Sequence, residues 1–183
     1  MCHIFSFYSL LLMSTKKERR EKMKRLCNVL VGIFIICLVY TPMVIQAADN
    51  QLGSIVDGSI LTEKTEVSGD THSGARGTYL SYGSATLSNQ GNHTLNVSGY
   101  TSCYKTCDQV KVTLHLQKLV SGTWTTVKTL DTKTAYNTSY VSNSQNVTVT
   151  GGYYYRISGT HAAVKGKTTE STYSSTDGMW VSK

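Results

Sequence analysis

The chain has 183 residues, of which 40% are hydrophobic and 16% charged, and its formal net charge is +7. The basic surplus lies at the N-terminal end. Residues 1–47 hold seven Lys/Arg and two Asp/Glu, whereas residues 48–183 hold eleven and nine, which leaves +2. A nearly neutral remainder has no electrostatic footprint for nucleic acid, so nucleic acid is excluded as a partner.

The first 47 residues show the three-part pattern of an export signal. Basic residues precede a mainly apolar run over residues 26–45, and Ala47 and Ala48 follow it. This pattern predicts a secretory signal peptide over residues 23–47, cleaved after Ala47 or, as the second choice, after Ala48. We therefore expect a secreted, extracellular protein. The alternative is an uncleaved segment that anchors the chain in a membrane through residues 26–45.

The residues ahead of this signal are unusual, because a signal peptide begins near its basic residues. Arg19-Arg20 and Glu21-Lys22 can be encoded by purine-only codons, which resemble a bacterial ribosome-binding site just before Met23. The hypothesis is that Met23 is the start and that residues 1–22 are a mis-called extension. The alternative is a long basic N-terminal region of the signal.

The composition of residues 48–183 is typical of an extracellular all-β domain. This part holds ten of the twelve tyrosines and both tryptophans, and the only proline of the chain, Pro42, lies before it. Thr, Tyr and Val favour strands, while the helix formers Ala, Leu and Glu are scarce. Residues 48–75 are polar and Gly/Ser-rich, and we expect a flexible lead-in with one short strand near Ile60-Leu61.

The β-domain is expected over residues 76–183. Short strands are predicted, with turns between them, at 78–82, 85–87, 93–101, 123–130, 146–150, 153–164 and 170–181. The clearest strand is 109–120, where Val110, Val112, Leu114 and Leu116 alternate with polar residues, so that one face is buried and one is wet. Residues 134–144 are polar and predict a connection. Seven or eight short antiparallel strands favour a single immunoglobulin-like β-sandwich.

The hairpin at Ser121-Gly122 allows the register to be counted. A two-residue loop would pair Leu116 with Val127 on the core face and Leu119 with Trp124 on the opposite face. Trp124 is then a core residue turned inward by a bulge, or an exposed aromatic platform for a sugar ring or a protein partner. Both interpretations remain open from the sequence.

Two cysteines, Cys103 and Cys107, remain after the predicted cleavage. An even pair in an exported chain predicts a disulfide, and the three-residue spacing differs from the C-x2-C of redox and zinc sites. A bridge that closes so short a loop is expected to stabilise the fold by the low end of ~2–4 kcal/mol.

The nearest approach to a catalytic site is a predicted polar cluster at the last hairpin. A Lys165-Gly166 loop would place His161 opposite Glu170, with Arg156 nearby, and the carboxylate would favour the protonated imidazole. A facing pair of this kind is more often a structural device than a site. No other catalytic motif is present, and the histidines lack the spacing of metal ligands, so we expect neither catalysis nor a metal or cofactor.

Several blocks of sequence resemble a group of small exported proteins from Gram-positive, Clostridia-type bacteria, known as a domain of unknown function. The blocks are RGTYLSYG, LQKLVSGTW, VTGGYYYRISGTHAA and ESTYSSTDGMWV, within residues 76–181. The resemblance implies an exported β-domain. It implies no activity, substrate or catalytic residue.

The sequence thus favours a non-catalytic binding or surface-associated module, because a face rich in Tyr and Thr suits a carbohydrate or a protein surface. The second hypothesis is a secreted bacteriocin-like effector or its protective partner. The third is a small hydrolase that uses His161 and Glu170.

Overall fold

The computed structural model describes residues 51–71 and 77–183. The predicted extension 1–22, the signal segment and its cleavage site at Ala47 or Ala48 lie outside these residues. Of the described residues, 76% lie in strands and none lies in a helix, which confirms an all-β protein. No helix that could cross a membrane is therefore found within the described residues.

The described part contains ten strands. In chain order they are β1 (Ile55–Val56), β2 (Ser59–Thr62), β3 (Glu66–Asp70), β4 (Leu80–Asn89), β5 (Thr94–Val120), β6 (Thr123–Thr129), β7 (Lys133–Thr148), β8 (Tyr153–Lys165), β9 (Thr168–Ser175) and β10 (Gly178–Val181).

The 27-residue strand β5 organises the sheet. On one side it pairs first with β4 and then with β8, and on the other side first with β7 and then with β6. The pairing extends to β3 beyond β4, and to β9, β10, β2 and β1 beyond β8. The result is one curled, open sheet. The prediction of a single immunoglobulin-like sandwich is not confirmed.

The inner face of the curled sheet forms the main hydrophobic core. The predicted alternation on β5 is confirmed, because Val110, Val112, Leu114 and Leu116 are all fully buried. They pack with apolar residues from neighbouring strands, among them Leu87, Leu95, Val97, Tyr155, Ile157 and Met179. Burial of these side chains supplies the main driving force for the fold.

A second, smaller core lies on the opposite face of β8. Leu61, Leu119 and Tyr154 are buried there, with Trp124 and Trp180 packed against them. Strands β1 and β2 cover this cluster, and β2 pairs in parallel with β10. The segment predicted as a polar lead-in therefore contains three strands, of which β2 includes the predicted strand at Ile60-Leu61. These strands were not evident from the sequence, because Leu61 and Val67 are the only buried apolar residues among those described in this segment.

The structure corrects several predicted strand boundaries. The predicted strands 78–82 and 85–87 are one strand, β4, and 93–101 and 109–120 are one strand, β5. The apolar alternation is interrupted because the buried positions there are small or polar: Gly83, Gly99 and Thr101. The polar segment 134–144 is not a connection but most of β7, and its edge position explains its polarity. The last predicted strand is divided into β9 and β10.

The register predicted for the β5–β6 hairpin is confirmed next to the Ser121-Gly122 turn and wrong further from it. Ser121 and Gly122 both have positive φ, at 50° and 78°, as a two-residue type I′ loop requires. Leu119 pairs with Trp124 as predicted. A register shift between Leu116 and Gln117 then pairs Leu116 with Lys128, so the predicted pair with Val127 does not form.

Candidate functional site

The predicted cluster of His161, Glu170 and Arg156 does not assemble. The loop of the β8–β9 hairpin is Gly166-Lys167, so Glu170 pairs with Ala163 and His161 pairs with Thr172. The reason is the backbone conformation of Gly166, whose φ is +58°. A type II′ turn needs a positive φ at its first central residue, and this puts the glycine there. The prediction of a facing His–Glu pair is therefore wrong.

His161 is fully buried in the inner face of the sheet. Its Nδ1 lies 2.9 Å from Thr101 Oγ1, and its Nε2 lies 2.8 Å from Ser174 Oγ. Burial lowers the pKa of the imidazole to about 4, so it is neutral near pH 7. The prediction that its protonated form is favoured is also wrong.

The hydrogen bonds around His161 define its tautomer. The Thr101 hydroxyl donates to the backbone oxygen of Lys111 at 2.8 Å, so Thr101 Oγ1 accepts the proton on Nδ1. The unprotonated Nε2 then accepts from Ser174, which is itself buried. A serine hydroxyl bonded to a histidine resembles the start of a nucleophile–base pair. Here both groups are enclosed, so the arrangement satisfies buried polar atoms within the core.

Glu170 binds the chain just before β4. Its carboxylate accepts hydrogen bonds from the backbone N–H groups of Thr78, Tyr79 and Leu80, at 2.8, 2.9 and 2.7 Å. Burial raises the pKa of this carboxyl, but the three hydrogen bonds outweigh it and hold the pKa below its usual value. Glu170 thus binds the backbone at the start of β4, and its cross-strand partner is Ala163, not His161.

Arg156 joins the second core to the strands that cover it. Its guanidinium donates to Gln117 Oε1, to Ser59 Oγ and to both the backbone oxygen and the carboxylate of Asp57, at 2.7–2.9 Å. It also lies 4.6 Å from the ring centroid of Trp124. Arg156 therefore does not join His161 and Glu170 in the cluster that the sequence predicted.

Trp124 lies beneath β1 on the face opposite the main core. Its Nε1 donates to the backbone oxygen of Val56 at 3.0 Å, and its ring is partly buried. Both sequence interpretations assumed a single core. The structure instead has a second core on the other face, which contains Trp124 without a bulge at that position.

Cys103 and Cys107 are free thiols in the structure, so the predicted disulfide is not formed there. Both are buried in the main core, on either side of a register shift in β5. Burial, followed by a hydrogen bond to the Cys107 thiol, raises the pKa of Cys103 to about 12. The two thiols are thus neighbours, and the raised pKa keeps the Cys103 thiol protonated near pH 7.

A row of three tyrosines crosses the outer face of the sheet. Tyr82 on β4, Tyr100 on β5 and Tyr140 on β7 are in contact, with ring centroids 5.9 and 5.6 Å apart. A hydrogen bond to Asp70, together with burial, raises the pKa of Tyr82 to about 12. We call Tyr82, Tyr100 and Tyr140 the tyrosine row. It is partly exposed, and Tyr140 at the sheet edge is 49% exposed.

The tyrosine row continues into hydroxyl and amide side chains along the same face. The register places Ser84 and Ser142 beside Tyr100, and Asn96 beside Asn146 two rows further on. The Asn96 amide donates to Asn146 Oδ1 at 2.8 Å and to Ser144 Oγ at 3.1 Å. This outer face thus combines aromatic rings with uncharged donors and acceptors, which is the chemistry that orients small polar ligands.

Sequence reasoning missed the tyrosine row. Counting back from the β4–β5 turn could have placed Tyr82 near Tyr100 on one face. Tyr140 could not be added, because residues 134–144 were predicted to be a connection.

The described residues offer little else for a ligand. No group of three or more His, Cys, Asp or Glu side chains within them could hold a metal ion. One depression of about 420 Å³, open to solvent, is lined by Asn89, Gly91, Asn92, His93, Val181 and Ser182.

The fold and this face describe an all-β protein with a polar, tyrosine-bearing surface. Residues 47–179 match the family of unknown function DUF6147, and the chain belongs to that family. The match extends the resemblance seen in the sequence to the N-terminal strands. Among curated proteins, no match was found.

Proposed function

We propose that the chain is an exported, non-catalytic binding module whose tyrosine row contacts a carbohydrate. The observation that carries the proposal is the contact of Tyr82, Tyr100 and Tyr140 across three strands of one outer face. Aromatic rings supply a large contact area, and their hydroxyls, with those of neighbouring serines, can bond sugar hydroxyls. The Asp70 carboxylate bonded to Tyr82 disfavours an anionic ligand, so a neutral carbohydrate is favoured.

Export is the second part of this proposal. The signal pattern over residues 23–47 supports cleavage after Ala47 or Ala48, and an oxidising destination would favour a bridge between Cys103 and Cys107. Intact mass of the protein from the culture supernatant and from the membrane fraction tests both. A supernatant species beginning at Ala48 or Asp49, two hydrogens lighter than its reduced form, is expected. A membrane species that retains residues 26–45 would contradict cleavage and release of the chain.

Affinity electrophoresis in gels that contain neutral polysaccharides, such as a β-glucan, xylan or mannan, tests carbohydrate binding. We expect at least one polysaccharide to retard the protein, and we expect Tyr100→Ala and Tyr140→Ala to weaken binding by about tenfold or more each. Tyr173→Ala is the matched control, because Tyr173 is 68% exposed and lies on β9, outside the tyrosine row. Equal loss in the control, or no retardation by any polysaccharide, would overturn the proposal.

A further inference from the structure

Strands β6 and β7 form one long edge of the sheet. Both pair with β5 on one side, and no other strand of the described part of the chain pairs with them. The outer backbone N–H and C=O groups of such an edge are available to a further strand. We call residues 140–148, the part of β7 that pairs with β5 without a register shift, the free edge.

The free edge lacks the features that normally protect a sheet edge. Charged side chains, above all lysine, and proline are the usual protection. No charged residue occurs from Thr134 to Tyr155, and the only proline of the chain is Pro42. Asn137, with φ +50°, and the register shift between Thr138 and Tyr140 lie just before the free edge. The nine residues of the free edge are therefore a regular, uncharged and unprotected strand.

We infer that the free edge pairs, antiparallel, with the free edge of a second copy of this chain. A twofold axis places the same segment opposite itself, so a charge near the axis would face a like charge. An uncharged segment is free of that penalty in every register. The charged residues of β6 and β7, Lys128 and Lys133, lie outside the free edge.

Two apolar side chains at this end of the sheet support a second copy as the occupant. Val147 and Val149 pack against the main core but are only partly buried. A strand added to β7 would cover the open side of Val147. The tyrosine row also reaches β7 at Tyr140, so edge pairing would bring two tyrosine rows toward each other. The dimer does not depend on whether those rows bind carbohydrate.

Sedimentation of the purified full chain and of two variants tests the dimer. Ser142→Lys/Ser144→Lys adds charge to two exposed positions of the free edge. Ser171→Lys/Ser175→Lys adds the same charge to two exposed positions of β9. The wild-type chain and the β9 variant are expected to dimerise with the same dissociation constant, and the free-edge variant at least about tenfold more weakly. A monomeric wild type, or equal behaviour of the two variants, would overturn the inference.

Hydrogen–deuterium exchange of the unmodified chain gives an independent reading. Amides of the free edge whose N–H groups point outward should become protected as the protein concentration rises. Amides of β9 should not change. Protection that is independent of concentration, or that rises equally in β9, would contradict pairing through the free edge.

Discussion

Gly83 lies directly against the imidazole ring of His161, and a Cβ atom at Gly83 would overlap that ring. Gly159 also packs against His161, because a Cβ at Gly159 would lie 2.9 Å from the imidazole Nε2. The histidine is thus held by hydrogen bonds at both nitrogens and by glycine backbone beside its ring.

Gly83→Ala is therefore expected to destabilise the fold by about 1–3 kcal/mol, because an extra methyl in a tightly packed core forces neighbouring atoms apart. Urea denaturation would measure the change. Gly91→Ala is the comparison, since nothing lies within 4 Å of a Cβ there and only its φ of +82° opposes the substitution. If His161 is the obstacle, adding His161→Ala to Gly83→Ala should cost less than the sum of the two single changes.

The neutral state of His161 predicts how stability depends on pH. The pKa of His161 is about 4 in the folded chain, against about 6.5 in an unfolded chain. Between these values the unfolded state binds more protons, so stability falls as the pH drops from about 6.5 to about 4. The loss attributable to this histidine reaches about 3 kcal/mol, as an order of magnitude.

Denaturation midpoints of the wild type and of His161→Gln at pH 7, 6 and 5 would test this. The variant has no imidazole to protonate, so its stability should change less over that range. Asp108 and Glu170 have lowered pKa values and lose their contributions at still lower pH. Parallel pH profiles for the two proteins would show that His161 is not the titrating group.

The hydrogen bonds of Glu170 predict a second destabilising substitution. Glu170→Ala removes the acceptor of three backbone N–H groups. A hydrogen bond to a charged group contributes about 1.5–3 kcal/mol net of its exchange with water, and three bonds to one half-buried carboxylate are not additive. We expect a loss of about 2–3 kcal/mol and faster hydrogen exchange at Tyr79 and Leu80. Glu66→Ala, at an exposed carboxylate on β3, should change stability by less than about 1 kcal/mol. Similar losses for both would contradict this role.

Replacing Arg156 should destabilise the fold much more than replacing its ion-pair partner Asp57. The Arg156 side chain is 7% exposed, whereas that of Asp57 is 78% exposed. Arg156→Ala removes every contact between this guanidinium and β1–β2, and should cost about 3–5 kcal/mol. Asp57→Asn leaves the backbone acceptor and Ser59 in place, and should cost about 1 kcal/mol or less. Thermal unfolding of both variants measures the difference, and equal losses would contradict it.

The sequence was sufficient to predict the buried residues of a strand where one face is apolar and the other is exposed to solvent. Val110 to Leu116 showed their buried face through alternation alone, and that face is confirmed. On β8 alternation could not identify a single buried face, because Tyr154 and Tyr155 are both buried. The Ser121-Gly122 turn was likewise readable, because the loop residues themselves set its geometry. The pairings next to that turn were therefore correct, up to the register shift after Leu116.

The apolar alternation failed to predict strands where the buried positions are held by small or polar residues. Small and polar inner positions such as Gly83 and Thr101 interrupt the alternation, because they make room for His161. The edge strand β7 needs no apolar face, so its composition resembled that of a connection. The candidate cluster failed for a different reason, since one wrong loop assignment at Gly166 moved every cross-strand pair of the hairpin.

The continuous strand β5 also determines when this chain can fold. Its partners lie on both sides of it in the sequence, and Ser59 bonds to Thr176, 117 residues away. Contacts so distant along the chain make folding slow. The sheet cannot close until β8 and β10 have been synthesised, so a growing chain remains unfolded until its C-terminal strands are present. A chain that crosses a membrane as an unfolded thread would gain the time to do so from this topology.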